Sequence, residues 1–282
     1  MKSEEHDSSF TLGNRLWAQK KPVGGMMENI LIRTNCLTKR YGSVPVVNGL
    51  NLEVKSGEIF GFLGPNGAGK TTTIKMLTGL LDPSEGEISI CDYDIRRQPT
   101  QAKALMAYVP EQPKLYNKLS AREFLHLISA LYRVPKGIAK ERTEQLLGMF
   151  GLTQRADELL EGYSHGMRQK VILAGALIHQ PKVILLDEPT VGLDPASARL
   201  LKDILQQMAQ QGAAVFVSTH ILEIAERMCH RVGILKDGML IAQGSPEELR
   251  QKVGHGGESL EDIFLELTGV RENAELIKSL EE

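Results

Sequence analysis

GPNGAGKT, residues 64–71, is the stretch that decides the fold. It has the pattern G-x-x-x-x-G-K-[ST], it follows an apolar run that reads as a strand, and it opens KTTTIKMLTGLL, which reads as a helix. Chance supplies such an octapeptide about once in a hundred chains of this length, before a flanking strand and helix are demanded. A glycine-rich turn feeding a helix N-terminus is a phosphate cradle, because unpaired backbone N–H groups and the positive end of the helix face the same point. Gly64, Gly67 and Gly69 are expected to keep side chains from covering those N–H groups. Lys70 is expected to place a charge on the terminal phosphates, and the Thr71 hydroxyl to ligate Mg²⁺. The candidate nucleotide-binding set is Gly64, Pro65, Asn66, Gly67, Ala68, Gly69, Lys70, Thr71 and Thr72.

A cradle of this type needs a carboxylate at the end of a neighbouring strand to hold the metal, and KVILLDEP offers Asp187. Glu188 follows at once, placed to reach an attacking water as general base or orienter. A DE pair by itself merely ends a strand; the upstream cradle gives this one its chemical reading.

Working outward, short β-rich runs alternate with helical ones from about residue 30. ILIRTNCLTKRYG and NLEVKSGEIFGFLG read as strands with a turn region between them, and EISICDYDI as another strand. KVILLDEP and AAVFVSTH are nearly uninterrupted in apolar residues, as strands covered on both faces of a parallel sheet would be. VGILKDGMLIAQG reads as a hairpin around Asp237 and Gly238. Between these blocks, residues 98 to 180 read as mostly helical. Ser120 with Glu123 makes a capping box, and Phe124, Leu127, Ile128 and Leu131 fall on one helical face. SLEDIFLELTG reads as a short amphipathic helix carrying Leu260, Ile263, Phe264 and Leu267, preceded by a hinge-like GHGGE. The expected architecture is α/β: a P-loop NTPase core with a mostly parallel sheet, marginal antiparallel strands and an α-helical insertion. The expected boundaries are a flexible tail over 1–29, a main domain over 30–245 with its helical part at about 98–170, and a helical appendage over 246–282.

YSHGMRQK, residues 163–170, starts a helix with Ser164 as N-cap, an anion-attracting end whose ligand the octapeptide alone does not reveal. The order of motifs answers that. Tyr41 in RYG, the GPNGAGKT loop, Gln112 in VPEQP, YSHGMRQK, VILLDEP, GLDP with Asp194 and STH with His220 together resemble the ATP-binding subunits of ABC transporters, over essentially all of residues 30 to 245. The resemblance implies that ATP and Mg²⁺ are bound, that Tyr41 stacks on adenine, that Gln112 approaches Mg²⁺ and senses a membrane partner, and that His220 contacts the γ-phosphate. It also implies that Ser164 and Gly166 meet ATP held by a second ATPase subunit, identical or related, with Asp194 in the same nucleotide-binding set. YSHGMRQK departs from the family's LSGGQ signature by Tyr163 for Leu, His165 for the first Gly and Met167 for Gln. The YSxGM form and the EDIFLELTG run resemble the branch serving ABC-2-type exporters. An integral membrane permease is the implied partner, docking near Gln112 with Lys114, Leu115 and Tyr116 as candidate contacts, and the implied location is the inner face of the cell membrane.

Composition agrees. The 282 residues carry 33 basic and 35 acidic side chains, so no overall field draws the chain to nucleic acid, and none is expected as a partner. Cys36, Cys91 and Cys229 lack metal or redox spacing, which suits a reducing cytosol, and each reads as a small buried hydrophobe. The longest apolar run, VILAGALI, is ended by His179 and Gln180, short of a bilayer span. The first 29 residues show no hydrophobic block of a secretory signal, and Met26 with Met27 leaves open a start there. His126, His179 and His230 read as structural. A soluble ABC ATPase acting on ribosomes or DNA usually carries two ATPase units, a long coiled-coil insertion or zinc modules, and neither accessory is seen here. A P-loop small-molecule kinase would leave GLDP, STH and the signature unexplained.

Overall fold

A computed structural model describes residues 29–112, 114–253 and 259–269; the tail, the GHGGE stretch and the end of the expected appendage lie outside the described residues. Along the chain come β1 (Ile30–Tyr41), β2 (Val44–Lys55), β3 (Ile59–Leu63), α1 (Lys70–Leu77), β4 (Glu85–Ile90), β5 (Tyr93–Asp94), α2 (Pro99–Ala104) and β6 (Met106–Val109). The helices α3 (Ala121–Leu131) and α4 (Lys136–Met149) follow, then two short 3₁₀ turns and α5 (His165–Leu177). The last part holds β7 (Val183–Asp187), α6 (Pro195–Gln210), β8 (Ala214–Ser218), α7 (Leu222–Met228), β9 (Arg231–Lys236), β10 (Met239–Gly244), α8 (Pro246–Val253) and α9 (Leu260–Thr268).

Two sheets form. The first is antiparallel, in the order β2-β1-β4-β5; the second runs β10-β9-β3-β8-β7-β6 and is parallel from β9 to β6. The strands β3, β7 and β8 are buried at every position, which is why they read as unbroken apolar runs. Alternate residues then serve two cores. Phe60, Phe62, Leu185 and Phe216 pack with Ile74 and Leu77 of α1 and with Ile32, Leu50 and Leu52 of the antiparallel sheet. Ile59, Leu63, Ile184, Leu186 and Val217 pack with Leu173 of α5 and Leu201 and Ile204 of α6. Phe216 lies 5.7 and 5.2 Å, centroid to centroid, from Phe60 and Phe62. Truncating it to alanine is expected to cost about 3–5 kcal/mol.

Several expectations shift. The range 98–180 is not helical throughout, because Met106–Val109 pairs with Val183–Leu186 as the edge of the core sheet. The turn region between the first two strands is itself strand from Val44 onward, and EISICDYDI is broken by Cys91 and Asp92 at φ +49° and +67°. The capping box at Ser120 forms, with Ser120 Oγ accepting from Glu123 N, but the buried stripe of α3 is Ala121, Phe124, Leu125 and Ser129. Leu131 faces solvent, 68 % exposed. Cys36 is exposed rather than buried, because β1 bulges there with Cys36 at φ +47°. Leu260 and Ile263 of α9 are buried and Phe264 and Leu267 pack beside them.

Candidate active site

The loop 64–69 leaves β3 and enters α1 at Lys70. A methyl at Gly64 would lie 2.5 Å from the carbonyl oxygen of Leu235, and one at Gly69, which has φ +106°, would lie 2.6 Å from that of Val46. Only Gly67, at φ +82°, looks into open space. Two of the three glycines are therefore required by main chain packed against the loop, whatever access a ligand needs. Gly238 N donates to Ala68 O at 3.1 Å and Asn48 N donates to Gly238 O at 2.8 Å, knitting the loop to the β9–β10 turn and to β2. The Lys70 ammonium donates to Gly64 O at 2.7 Å and Pro65 O at 3.1 Å. Burial lowers its pKa, opposed by the negative charges of Glu188, Asp187 and Glu111. Asn66, Gly67 and Thr71 are exposed, Pro65 and Thr72 half-buried.

Because β3, β8, β7 and β6 run parallel, their C-terminal ends share one edge, the usual ligand edge of such sheets. Asp187, almost fully buried at the end of β7, accepts a hydrogen bond from Ser218 Oγ at 2.7 Å. Ser218 O in turn accepts from Glu188 N at 3.0 Å. Glu188 sits at φ +48°, a left-handed conformation for a residue with a long side chain, of the kind that clusters at functional sites. Its Oε1 lies 2.8 Å from His220 Nδ1, while Oε2 is buried with no protein partner among the described residues. His220 is itself largely open to solvent. Ser218, which orients both acids, was missed: a serine at a strand end carries no signal until the neighbouring strand is known. Gln112 lies exposed three residues beyond β6, on the same edge.

Tyr41 ends β1 opposite Val44, 55 % exposed as a residue, with Lys39 Nζ 5.4 Å from its ring centroid. Val44 is two residues along β2 from Val46, which touches Gly69, so this hairpin tip lies beside the phosphate loop. Lys114 and Tyr116 are exposed, whereas Leu115 packs against the core.

Ser164, Gly166 and Asp194 form a second cluster. Ser164 caps α5 by accepting from Met167 N, and a methyl on Gly166 would lie 2.9 Å from Gly192 O. Asp194, expected to bind nucleotide, caps α6: Oδ1 accepts from Ser197 N, and Oδ2 accepts from Ser197 Oγ at 2.7 Å and lies 3.1 Å from Lys170 Nζ. Those donors hold its carboxyl well below the usual carboxylate range. Lys170 is a second residue the sequence did not single out. Of the histidines read as structural, the rings of His230 and His179 have partners in the fold and that of His126 has none among the described residues. His230 Nδ1 accepts from Ile59 N at 2.9 Å, His179 stacks on Tyr132, and His126 lies on the surface.

The donors on the sheet edge suit a magnesium nucleotide. Hydroxyl and carboxylate oxygens are the hard ligands that Mg²⁺ takes, alongside water and substrate phosphates. The orphaned Glu188 Oε2 and the open space over Gly67 fit such an occupant. Fold and edge together define a P-loop ATPase. Residues 47–191 match the family described as ABC transporter, and the chain belongs to that family, among its ATP-binding proteins. It is 36 % identical over 242 residues to the Linearmycin resistance ATP-binding protein LnrL of Bacillus subtilis (strain 168), covering 86 % of this chain and 76 % of that protein. It is 40 % identical over 211 residues to the Nod factor export ATP-binding protein I of Burkholderia orbicola (strain AU 1054), covering 75 % and 69 %. A solved ATP-binding subunit of an ABC transporter superposes with TM-score 0.82 at 35 % identity, over 84 % of this chain and 99 % of that one. A dimeric ATP-binding cassette in a post-hydrolysis state with ADP and Pi superposes with TM-score 0.70 at 27 % identity, over 76 % and 98 %. Among the described residues no helix is long and apolar enough to cross a membrane.

Proposed function

We propose that this chain is the ATP-hydrolysing subunit of an ABC-2-type exporter, active as a homodimer or with a related copy and docked on a separate membrane permease at the inner face of the cell membrane. The observation that carries the catalytic part is Glu188, buried on the phosphate-loop edge with Oε1 on His220 and Oε2 unpaired. Glu188 acts as general base toward water, His220 orients its carboxylate and reaches the γ-phosphate, and Lys70 leaves its loop carbonyls to bind the terminal phosphates. Tyr41 offers its exposed face to adenine. Thr71, Gln112 and Asp187 would hold Mg²⁺, whose chemistry is to neutralise phosphate charge as a Lewis acid.

Two copies take part in this reading: the helix start carrying Ser164 and Gly166, which packs on the 192–194 segment, is assigned to a second nucleotide and not to the one on its own chain's loop. The start of α5 then faces the ATP of the partner copy, and Asp194 contributes by fixing that surface. Export rather than uptake is supported by the names of relatives built for Nod factor export and linearmycin resistance, and by the YSxGM form. Exposed Lys114 and Tyr116 are the permease contacts; Leu115 anchors their loop. Glu188→Gln is expected to lower ATP turnover by about 10² to 10⁴ while ATP binding survives, as measured by phosphate release and nucleotide titration. Unchanged turnover removes Glu188 from its role. Co-purification in detergent is expected to bring down a hydrophobic membrane protein; ribosomes or DNA instead would overturn the transporter assignment.

A further inference from the structure

His165 stands where the family signature has a glycine, and its ring is not free. A methyl placed on Gly192 would lie 2.3 Å from His165 Cδ2 and 2.7 Å from Nε2, so the imidazole rests directly on the Gly192 Cα. One residue on, a methyl at Gly166 would lie 2.9 Å from Gly192 O, and a turn further along α5 Lys170 reaches Asp194. The first turn and a half of α5 is thus fitted onto residues 192–194 at three points.

That segment leads straight to Glu188. Val191 N donates to Glu188 O at 3.2 Å and Leu193 N to Thr190 O at 3.2 Å, making two successive tight turns in which Gly192, at φ +80°, takes a left-handed conformation. A turn chain this short transmits a displacement of Gly192 to the backbone of Glu188, whose own left-handed conformation leaves little tolerance. We propose that His165 is a positioning residue for ATP hydrolysis: its ring, seated on Gly192, sets the turns that aim Glu188. Because α5 also presents Ser164 and Gly166, the ring joins the surface facing the partner's nucleotide to the base serving the chain's own. The inference rests on the assignment of Glu188 as the base.

The test uses the full-length chain, with kcat and KM for ATP measured for wild type, Glu188→Gln, His165→Ala, His165→Phe, Gly192→Ala and the pair His165→Ala with Gly192→Ala. His165→Ala is expected to lower kcat about tenfold with KM within about twofold, since misplacing a catalytic group costs turnover and not binding. His165→Phe, which keeps a ring over Gly192, recovers most of that loss. Gly192→Ala is more damaging when His165 is present than when it is alanine, because the added methyl meets the ring. Thermal midpoints are recorded for each variant, and the His165→Ala effect on kcat is expected with its midpoint near wild type. Equal kcat for wild type and His165→Ala, or equal losses from Gly192→Ala in both backgrounds, overturns the proposal even where Glu188→Gln abolishes turnover. A wild-type chain that does not hydrolyse ATP, or a Glu188→Gln chain that does so normally, overturns the assignment of Glu188 and the positioning role with it.

Discussion

At Gly64 and Gly69 an added methyl would meet a carbonyl oxygen at 2.5 and 2.6 Å, whereas at Gly67 it would meet nothing within 4 Å. The loop cannot move away from Leu235 or Val46, since hydrogen bonds through Gly238 and Asn48 hold them together. Gly64→Ala and Gly69→Ala are therefore expected to cost about 1–3 kcal/mol from overpacking and to abolish ATP binding. Gly67→Ala should cost only the left-handed backbone penalty of about 1–2 kcal/mol. Thermal midpoints and nucleotide titrations of the three variants check this, and equal damage at Gly64 and Gly67 would refute the packing account. His179 gives a second prediction at this scale. Burial lowers its pKa to about 4, with Nε2 3.2 Å from Met106 O and Nδ1 left without a protein partner. The unfolded chain takes up this proton near pH 6.5 and the folded chain only near pH 4. The contribution is complete above about pH 6.5 and is lost as pH falls toward 4, by on the order of 3 kcal/mol at most. His179→Phe keeps the stack on Tyr132 and should flatten the fall in midpoint between pH 6.5 and 4.5; an unaltered slope would assign the acid sensitivity elsewhere.

Helix α3 shows what an element's sequence does and does not reveal. Its start was legible, because Ser120 and Glu123 satisfy each other's backbone N–H groups without help from the rest of the chain. Ser120→Ala should cost about 1 kcal/mol, read as a drop of about 2–4 °C in midpoint. Its inward face was legible at Phe124 and Ile128 but not at the helix end. Phe124 and Ile128 turn toward α5, where Gly175 leaves room for them, a methyl there meeting Phe124 Cε1 at 3.0 Å, whereas Leu131, the last residue of α3, is exposed. The hairpin at Asp237 and Gly238 announced itself through local turn chemistry, with both residues at positive φ, and β3, β7 and β8 through burial on both sides. The strand β6 did not, since four residues carry too little pattern and only pairing with β7 makes them a strand. The site divides the same way. Lys70, Asp187 and Glu188 could be read from one segment each, but Ser218 on Asp187 and Lys170 on Asp194 join residues far apart in sequence. Lys170→Ala should leave α6 capped by Asp194 through Ser197 yet release it from α5. Faster amide exchange at residues 192–197, with little change at α1, is the expected signature; uniform exchange would show that the ion pair holds nothing.

For the whole molecule, the proposed function requires that two phosphate-seeking surfaces of one chain serve different nucleotides. The phosphate loop carries Lys70 and the C-terminal sheet edge, while the start of α5 has only part of its N-terminal donor set answered, Met167 N by Ser164 Oγ. With 33 basic against 35 acidic residues there is no long-range field to bring two copies together or to hold them apart. On the proposed function, assembly draws on short-range contacts, and the terminal phosphates of ATP are the anion that both surfaces bind at once. A ligand bound only by the closed pair shifts the equilibrium toward it by mass action. Glu188→Gln, which keeps the nucleotide intact, is therefore expected to run at twice the monomer mass in light scattering with ATP and Mg²⁺, and as a monomer with ADP. Adding Lys70→Ala should return it to monomer even with ATP, because one of the two surfaces loses its grip on the shared anion. Adding Ser164→Ala and Gly166→Glu should do the same from the other surface while leaving ATP binding to each monomer intact, since an acidic side chain at the start of α5 repels phosphate. A dimer indifferent to all of these changes would mean that the copies meet through another face, and the nucleotide would then have no part in bringing them together.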